Sequence, residues 1–301
     1  MAYYSGQAAS YAELLTVLVN GCVAQGWTWA DGILRKNGCY IKLEEITSGT
    51  ATGIRATGGT GVSGSSLLNA AATKPRMGNP AAINLITFPV LYHLFVFDNE
   101  VYFIIKFNIN TFHYLAFGKS DIALSENGLW ISATACGAGI HSSSTGGVTI
   151  TETSGGAGGA VNASAVAPFW NDNNFADNWS NAVIAHGLDG VIWSDGTKIA
   201  NFVSSLAPLN ARQPSAWSTD AILLPIQIYI DRASSKKSLA CQLQNSRYIR
   251  VDNLNPEQII QFGSEKWMIF PFYKKDITSR NGGGFVDHTG TFGWAIRYDG
   301  P

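Results

Sequence analysis

The apolar positions near the start of the chain repeat with the period of an α-helix. Ser10 is followed three residues later by Glu13, which fits a capping box, and Gly26 lies where a helix would end in a left-handed residue. This pattern predicts one amphipathic helix between Ser10 and Gly26. Its apolar face, with the spacing i, i+3, i+4, i+7, i+8 and i+11, comprises Tyr11, Leu14, Leu15, Leu18, Val19 and Cys22.

After the helix, short apolar runs are separated by dipeptides that favour tight turns. Asp31-Gly32 and Asn37-Gly38 are both typical of the type I′ turns of β-hairpins. The runs on either side of these turns predict three short strands, at residues 27–29, 33–35 and 39–43. The helix is therefore predicted to lead into a small meander.

Two tracts rich in Thr, Gly and Ser interrupt the apolar pattern. In residues 47–66 only Ile54 and Val62 stand out, which predicts an extended polar loop or an irregular edge. The second tract, residues 137–164, predicts a boundary between two domains. The predicted division is a helix-plus-β domain (1–136), a Gly/Ser/Thr-rich loop or linker (137–164) and a C-terminal β-rich domain (165–301). One continuous domain is the alternative.

Longer apolar runs predict the core of the fold. Residues 90–97 and 101–107 form an apolar hairpin around Asp98-Asn99. Further strands are predicted at residues 112–117, 129–133, 191–193, 222–230, 242–251, 267–272 and 294–298. Short helices are predicted at residues 178–186 and, capped by Asn255, at residues 256–260. The predicted class is α+β, predominantly antiparallel β with an N-terminal amphipathic helix, in a β-sandwich-like or mixed β architecture.

Composition and charge restrict the function classes. The 301 residues carry a net charge of −1, and only 14% of them are charged. A chain with no strong positive charge lacks the electrostatic footprint of a nucleic-acid-binding protein. No apolar run approaches the roughly eighteen residues that a membrane span needs. The first residues lack the pattern of a secretory signal, so we expect synthesis in a cytoplasm without export by that route.

Cysteine and histidine spacing predicts neither a metal site nor a bound cofactor. The four cysteines lie far apart without a C-x-x-C pair, which indicates buried free thiols; they are Cys22, Cys39, Cys136 and Cys241. The five histidines show no spacing typical of metal ligands. His93 and His113 lie inside apolar strands, where a hydrogen-bonded structural role is expected.

Aromatic and amide side chains concentrate in residues 168–179. Such side chains are typical of surfaces that contact proteins or stack on sugar rings, so we predict partner or receptor contacts by Phe169, Trp170, Asn171, Asn173 and Trp179. The alternative is that Trp170 and Trp179 anchor the core. Asp172 and Asp177 in the same segment are interpreted either as solvated loop acids or as the paired carboxylates of a glycosidase.

Several segments at the two ends of the chain carry a resemblance to a known family: residues 2–6, 26–28, 34–36 and 39–41 at the start, and residues 267–275, 280–283 and 287–300 at the end. These segments resemble the tail and baseplate proteins of tailed bacteriophages. The family offers no catalytic motif to transfer, so the resemblance implies a non-enzymatic structural protein. It also implies a place in the virion, at the tail tip or baseplate.

The resemblance and the composition together set the functional expectation. We expect a homo-oligomer in a symmetric assembly with other tail proteins, built from neutral polar and aromatic contacts. Support of host attachment through a bacterial surface receptor is part of this expectation. A glycan-binding module of the virion is the alternative, and a polysaccharide-degrading virion enzyme is a third reading.

Overall fold

The protein is described by a computed structural model that covers residues 1–47, 52–79, 86–134, 182–195, 199–200, 221–251, 254–272, 275 and 292–300. Within these ranges the chain folds mostly into antiparallel β-sheets, with one α-helix, α1 (Tyr11–Ala24). The β-rich α+β class predicted from the sequence is therefore confirmed. No helix in the described part of the chain is long and apolar enough to cross a membrane.

The described strands, in chain order, are β1 (Ala2–Ala8), β2 (Thr28–Ala30), β3 (Ile33–Lys36), β4 (Cys39–Ile46), β5 (Gly53–Gly59), β6 (Gly61–Ser63), β7 (Ser66–Leu68), β8 (Arg76–Gly78), β9 (Val90–Val96), β10 (Glu100–Asn108), β11 (Thr111–Lys119), β12 (Leu129–Ala133), β13 (Ala182–Ala185), β14 (Trp193–Asp195), β15 (Ile199–Ala200), β16 (Leu224–Arg232), β17 (Lys236–Arg250), β18 (Ile259–Phe262), β19 (Glu265–Pro271) and β20 (Phe292–Arg297). Three larger sheets contain all of these strands except β6 and β7, which form a separate two-stranded ribbon.

Helix α1 begins and ends as its sequence predicts. The Ser10 side chain accepts a hydrogen bond from the Glu13 N–H at 3.1 Å, and the Glu13 carboxylate accepts one from the Ala9 N–H at 2.7 Å. At the other end Gly26 has φ +83°, and the Trp27 N–H bonds back to the carbonyl of Cys22. Together with the bond from the Gly26 N–H to the carbonyl of Val23, this is a Schellman motif.

A seven-stranded sheet, the central sheet, lies in the middle of the fold. Its strand order is β1-β9-β10-β11-β12-β13-β14, and every neighbouring pair is antiparallel. Side chains from the two faces of β10 belong to different core clusters: Tyr102 and Ile104 to one, and Phe103 and Ile105 to the other. The central sheet is therefore buried on both faces, which explains the unbroken apolar runs of its strands.

A six-stranded sheet, the outer sheet, packs on one of these faces. Its order is β15-β16-β17-β20-β19-β18. The shared core includes Ile228 and Trp294 from the outer sheet and Tyr102 and Tyr114 from the central sheet. Trp294 meets both tyrosine rings edge-on, with centroids 5.7 and 4.8 Å apart.

A five-stranded sheet with α1 covers the other face of the central sheet. Its order is β2-β3-β4-β5-β8. Asp31-Gly32 and Asn37-Gly38 have positive φ at all four residues and join β2 to β3 and β3 to β4, as predicted. Residues 47–66 were expected to form a polar loop, and that expectation is wrong for the described part. Strand β5 lies there between β4 and β8, because pairing on both sides satisfies its backbone regardless of its Thr/Gly-rich composition.

Two predicted helical segments are wrong for the same reason. The described part of the predicted helix at 178–186 contains β13. Its residues Ile184 and Val183 pair with Trp130 and Ile131 of β12. The predicted helical turn at 256–260 is a tight turn followed by β18, which pairs with β19. In both segments a neighbouring strand supplies hydrogen bonds that local helix propensity does not anticipate.

Strands from both sides of residues 137–164 take part in one sheet. Strand β12 precedes this tract and pairs with β13, which follows it. One core cluster also combines residues from 95–130 with residues from 182–298. The division into two domains and the alternative of one continuous domain both stay predictions, and the proposed linker lies outside the described residues.

The described cysteines are buried free thiols, as predicted. They are Cys22, Cys39 and Cys241, and burial raises the pKa of each thiol above its ordinary value. Such thiols act as small apolar core residues. Cys136 lies outside the described residues.

Candidate functional site

Several polar contacts join the central sheet to the outer sheet, and the first link is built on Glu100. This carboxylate is 1% exposed at the start of β10. It accepts hydrogen bonds from the Gln244 N–H at 2.8 Å, from the N–H and side-chain amide of Asn245 at 2.8 and 2.7 Å, and from the Tyr102 hydroxyl at 3.0 Å. Burial raises the pKa of Glu100, and these four donors counteract part of that effect. All of the donors come from the fold itself, so this link is structural.

The second link is a chain of four polar side chains. The Tyr3 hydroxyl lies 2.8 Å from His93 Nδ1, and His93 Nε2 lies 2.9 Å from Glu257 Oε1. Lys106 Nζ bonds to the other oxygen of Glu257. In the neutral ring, Nε2–H donates to the carboxylate and Nδ1 accepts from the Tyr3 hydroxyl. The prediction that His93 is a hydrogen-bonded structural histidine is thereby confirmed.

The charge state of Glu257 follows from this chain. Partial burial raises the pKa of its carboxyl, but the hydrogen bonds and positive charge supplied by His93 and Lys106 outweigh burial and hold the pKa at about 2. Glu257 also has φ +65°, a left-handed conformation that is uncommon for a residue with a side chain. Both ring nitrogens of His93 are hydrogen-bonded, one to Tyr3 and the other to Glu257. This histidine therefore connects the central sheet to the turn that precedes β18 of the outer sheet.

A cleft of about 640 Å³ opens where three parts of the chain meet. Residues 71–73, residues 183–195 and residues 230–233 contribute its lining. The apolar residues that line it are Ala71, Ala72, Val183, Leu188, Val191, Ile230 and Ala233. The polar residues are Thr73, His186, Asp189, Ser194, Asp195, Asp231 and Arg232, and Trp193 completes the described lining. The volume lies in the range of small-molecule sites, about 300–1,000 Å³.

His186 and Ser194 are adjacent in the cleft, but their hydrogen bonds do not fit nucleophilic catalysis. The Leu188 N–H donates to His186 Nδ1 at 2.9 Å, so the ring proton is on Nε2 and is donated to Ser194 Oγ at 2.8 Å. Burial lowers the pKa of His186, which keeps this ring neutral near neutral pH. A base that activates serine must accept the hydroxyl proton at Nε2, whereas here Nε2 is the donor.

Contacts within the fold hold Trp193 and Asp195 in place. The indole Nε1 of Trp193 donates to the carbonyl of Asn69 at 2.6 Å. Its ring occupies the space above Gly58, where an added Cβ would approach Trp193 Cη2 to 2.6 Å. The Thr73 hydroxyl donates to Asp195 Oδ2 at 3.0 Å. The aromatic ring and the carboxylate are thus positioned before any ligand arrives.

At the rim of the cleft, Asp189 and Arg232 form a two-pronged ion pair. Arg232 Nε donates to Asp189 Oδ2 at 2.8 Å, and the Nη2 group donates to Oδ1. The Arg232 guanidinium lowers the pKa of the Asp189 carboxyl. Asp231, beside it, pairs with Lys237 at 2.6 Å. Most of the charge around the cleft is therefore neutralised by local pairs.

The residues predicted from sequence as partner contacts lie outside the described residues, and so do the paired acids Asp172 and Asp177. These predicted contacts are Phe169, Trp170, Asn171, Asn173 and Trp179. The structure instead brings together Thr73, Trp193 and Asp195, which sequence reasoning missed. Among these three residues the sequence prediction includes only Trp193, as the last residue of the strand candidate at 191–193, and nothing local relates Asp195 to Thr73.

Within the ranges that the structure describes, no three His, Cys, Asp or Glu side chains are grouped as metal ligands. The chain was also compared with known proteins. It matches no protein-family model, and no curated protein matches it.

Proposed function

We propose that this chain is a non-enzymatic structural component of a bacteriophage tail tip or baseplate. In this proposal it assembles as a symmetric homo-oligomer with other tail proteins in the virion and supports host attachment. A β-sandwich-like architecture belongs to the proposal. Its starting point is the resemblance of the two ends of the chain to such virion proteins.

One observation carries the proposal: the two ends that bear the resemblance meet in the fold. The ring of Tyr3 in β1 packs edge-on against the ring of Tyr298, with centroids 4.9 Å apart. Tyr3 also contacts Phe95, and the Tyr298 N–H bonds to the carbonyl of Lys266. Residues from the two ends of the chain, Tyr3 and Tyr298, therefore contact each other, as expected if both ends serve one purpose in an assembly.

Exposed edge strands give this proposal a physical basis for assembly. Strand β2 ends the five-stranded sheet, all three of its residues are exposed, and Trp29 is 37% exposed. Strand β18 ends the outer sheet, with Ile259 and Phe262 exposed. Edge strands with apolar side chains favour pairing with another chain, and aromatic residues are enriched at interfaces.

Immunogold electron microscopy of phage particles from the source bacterium tests the proposal. We expect antibody against the purified chain to label the tail tip or baseplate. Particles without label, together with free protein in the lysate, would contradict the virion role.

Edge-strand variants refine the test. Trp29→Asp should reduce incorporation into particles, because a charge at the centre of β2 opposes pairing with another chain. Ile109→Asp is the matched control, since Ile109 is 80% exposed but lies in the turn between β10 and β11. Deletion of residues 1–45 is a poorer test, because it removes β1 and α1 from the core.

The two other readings keep their own tests. A glycan-binding role for Trp170 and Trp179 predicts that their replacement by alanine abolishes binding on a glycan array. A polysaccharide-degrading role for Asp172 and Asp177 predicts release of reducing ends from host envelope polysaccharide.

A further inference from the structure

We infer that the cleft lined by Thr73, Trp193, Asp195 and Arg232 is a binding site for a short, uncharged saccharide. This inference does not rest on the virion role, because it follows from the lining of the cleft alone. It also differs from the glycan alternative above, which concerns residues 168–179.

The lining matches the two kinds of surface that a sugar ring presents. Sugar rings have apolar C–H faces, and Val191, Leu188 and Ile230 offer an apolar wall of comparable character. Val191 is 48% exposed, so part of this wall is open to a ligand from solvent. Trp193 adds an aromatic side chain that is held at both its Nε1 and its ring edge. A fixed aromatic side chain loses little conformational entropy on binding.

The polar groups of the cleft suit hydroxyl ligands, which both donate and accept hydrogen bonds. The Thr73 hydroxyl donates to Asp195 Oδ2 and so orients a carboxylate whose oxygens can each accept more than one hydrogen bond. Ser194 Oγ accepts a hydrogen bond from His186 Nε2–H. The hydroxyl proton of Ser194 can therefore be donated to a ligand. The Asp189–Arg232 pair places acceptors and donors side by side at the rim.

Charge decides between a neutral saccharide and an ionic ligand. The described lining contains three carboxylates, Asp189, Asp195 and Asp231, against one guanidinium, Arg232. An anionic sugar or a phosphate would meet this excess of carboxylates, because Arg232 is already paired with Asp189. A cationic ligand would have to compete with Arg232 for Asp189 and with Lys237 for Asp231. A neutral ligand rich in hydroxyl groups fits this balance best.

The test uses the full chain on an array of neutral oligosaccharides built from glucose, galactose, mannose and N-acetylhexosamines. Acidic oligosaccharides and lysine-rich peptides are included as competing probes. The strongest neutral ligand is then titrated calorimetrically into the wild-type chain and the variants. We expect at least one neutral oligosaccharide to bind, and to bind more tightly than the acidic and cationic probes.

Two variants locate the binding. Asp195→Asn removes a charged acceptor while conserving size, and Val191→Asp introduces a charge on the apolar wall. Each should weaken the titrated affinity about tenfold or more. Asp195→Asn replaces a charged acceptor by a weaker neutral one, and Val191→Asp places a charge against the apolar face of the ligand. Asp98→Asn and Ile109→Asp are the matched controls, because both positions are exposed away from the cleft. Thermal unfolding is measured for all four variants to check that each remains folded.

Three results would overturn the inference. One is the absence of binding to every neutral oligosaccharide on the array. Another is unchanged affinity in both Asp195→Asn and Val191→Asp. The third is a preference for the acidic or lysine-rich probes. None of these results bears on immunogold labelling, so failure of this inference and failure of the virion role are distinguishable.

Discussion

The central sheet and the outer sheet show how differently two antiparallel sheets of one protein are encoded. In β10, neighbouring residues Phe103 and Ile104 point to opposite faces, and both are buried. In β16, Ile228 is buried, whereas its neighbours Gln227 and Tyr229 are only half-buried. The first strand is unbroken apolar sequence, and the second alternates. The hydrophobic pattern of a strand therefore indicates whether one or both faces of its sheet are buried, in addition to indicating that the segment is a strand.

The same comparison locates where substitutions are tolerated. Every position in the middle of β10 faces a core, while every second position of β16 faces away from one. The two sheets are joined by the shared apolar core and by the links at Glu100 and Glu257.

The largest effect is expected for alanine at adjacent positions of β10. Phe103→Ala and Ile104→Ala should each lower the free energy of unfolding by about 3–5 kcal/mol, because each leaves a cavity in a different core. In β16, Ile228→Ala should cost a similar amount, while Tyr229→Ala should cost about 1 kcal/mol or less. Urea unfolding measures all four. A mild effect of either β10 variant would argue against two-sided burial.

Removal of the Glu100 carboxylate should destabilise the protein by about 3 kcal/mol. Glu100→Ala leaves the donors of Gln244, Asn245 and Tyr102 without their buried acceptor, and unpaired buried donors are costly. Glu100→Gln conserves the volume and one acceptor oxygen, so its effect should be smaller. Glu265→Ala, at an exposed site in the same fold, is the control and should be nearly neutral. Equal stability of Glu100→Ala and wild type would remove this link from the account.

The Glu257 link should make stability depend on pH in acid. The pKa of this carboxyl is about 2 in the folded protein, against 4.5 ordinarily, so folding favours the ionised form. Its contribution is present above pH 4.5 and is lost as pH falls from about 4.5 towards 2. With allowance for solvent access, we expect a loss of about 2 kcal/mol. Glu257→Gln should flatten this part of the curve of unfolding free energy against pH. Parallel curves for variant and wild type would contradict the assignment.

The smallest effect is expected at the start of α1, on the far face of the central sheet. Ser10→Ala removes the side-chain acceptor of the Glu13 N–H and should cost about 1 kcal/mol. Ser10→Asp supplies another acceptor at the same position and should restore most of this stability. Thermal unfolding measures both variants. Identical melting of Ser10→Ala and wild type would mean that the cap contributes nothing.

How far the sequence predicts the fold depends on whether the deciding interaction is local. Strands β9, β10 and β11 are recognisable because their apolar runs are long and their turns short. Strand β5 was missed because Thr and Gly dominate it, yet Gly58 is there to make room for Trp193, a residue far along the chain. The cleft was missed for the same reason, since Thr73 and Asp195 are brought together by sheet packing.

The sequence by itself determined the elements whose hydrogen bonds are made within a few residues. Helix α1 carries its own cap at Ser10 and its own ending at Gly26, and the hairpin turns carry residues that accept positive φ. Only the tertiary structure decided that β13 is a strand and that it pairs with β12, which precedes residues 137–164 in the chain. It also decided that Thr73, Trp193 and Asp195 share one cleft. The physical reason is that a strand completes its hydrogen bonds, and a cleft its lining, with groups that are distant in sequence.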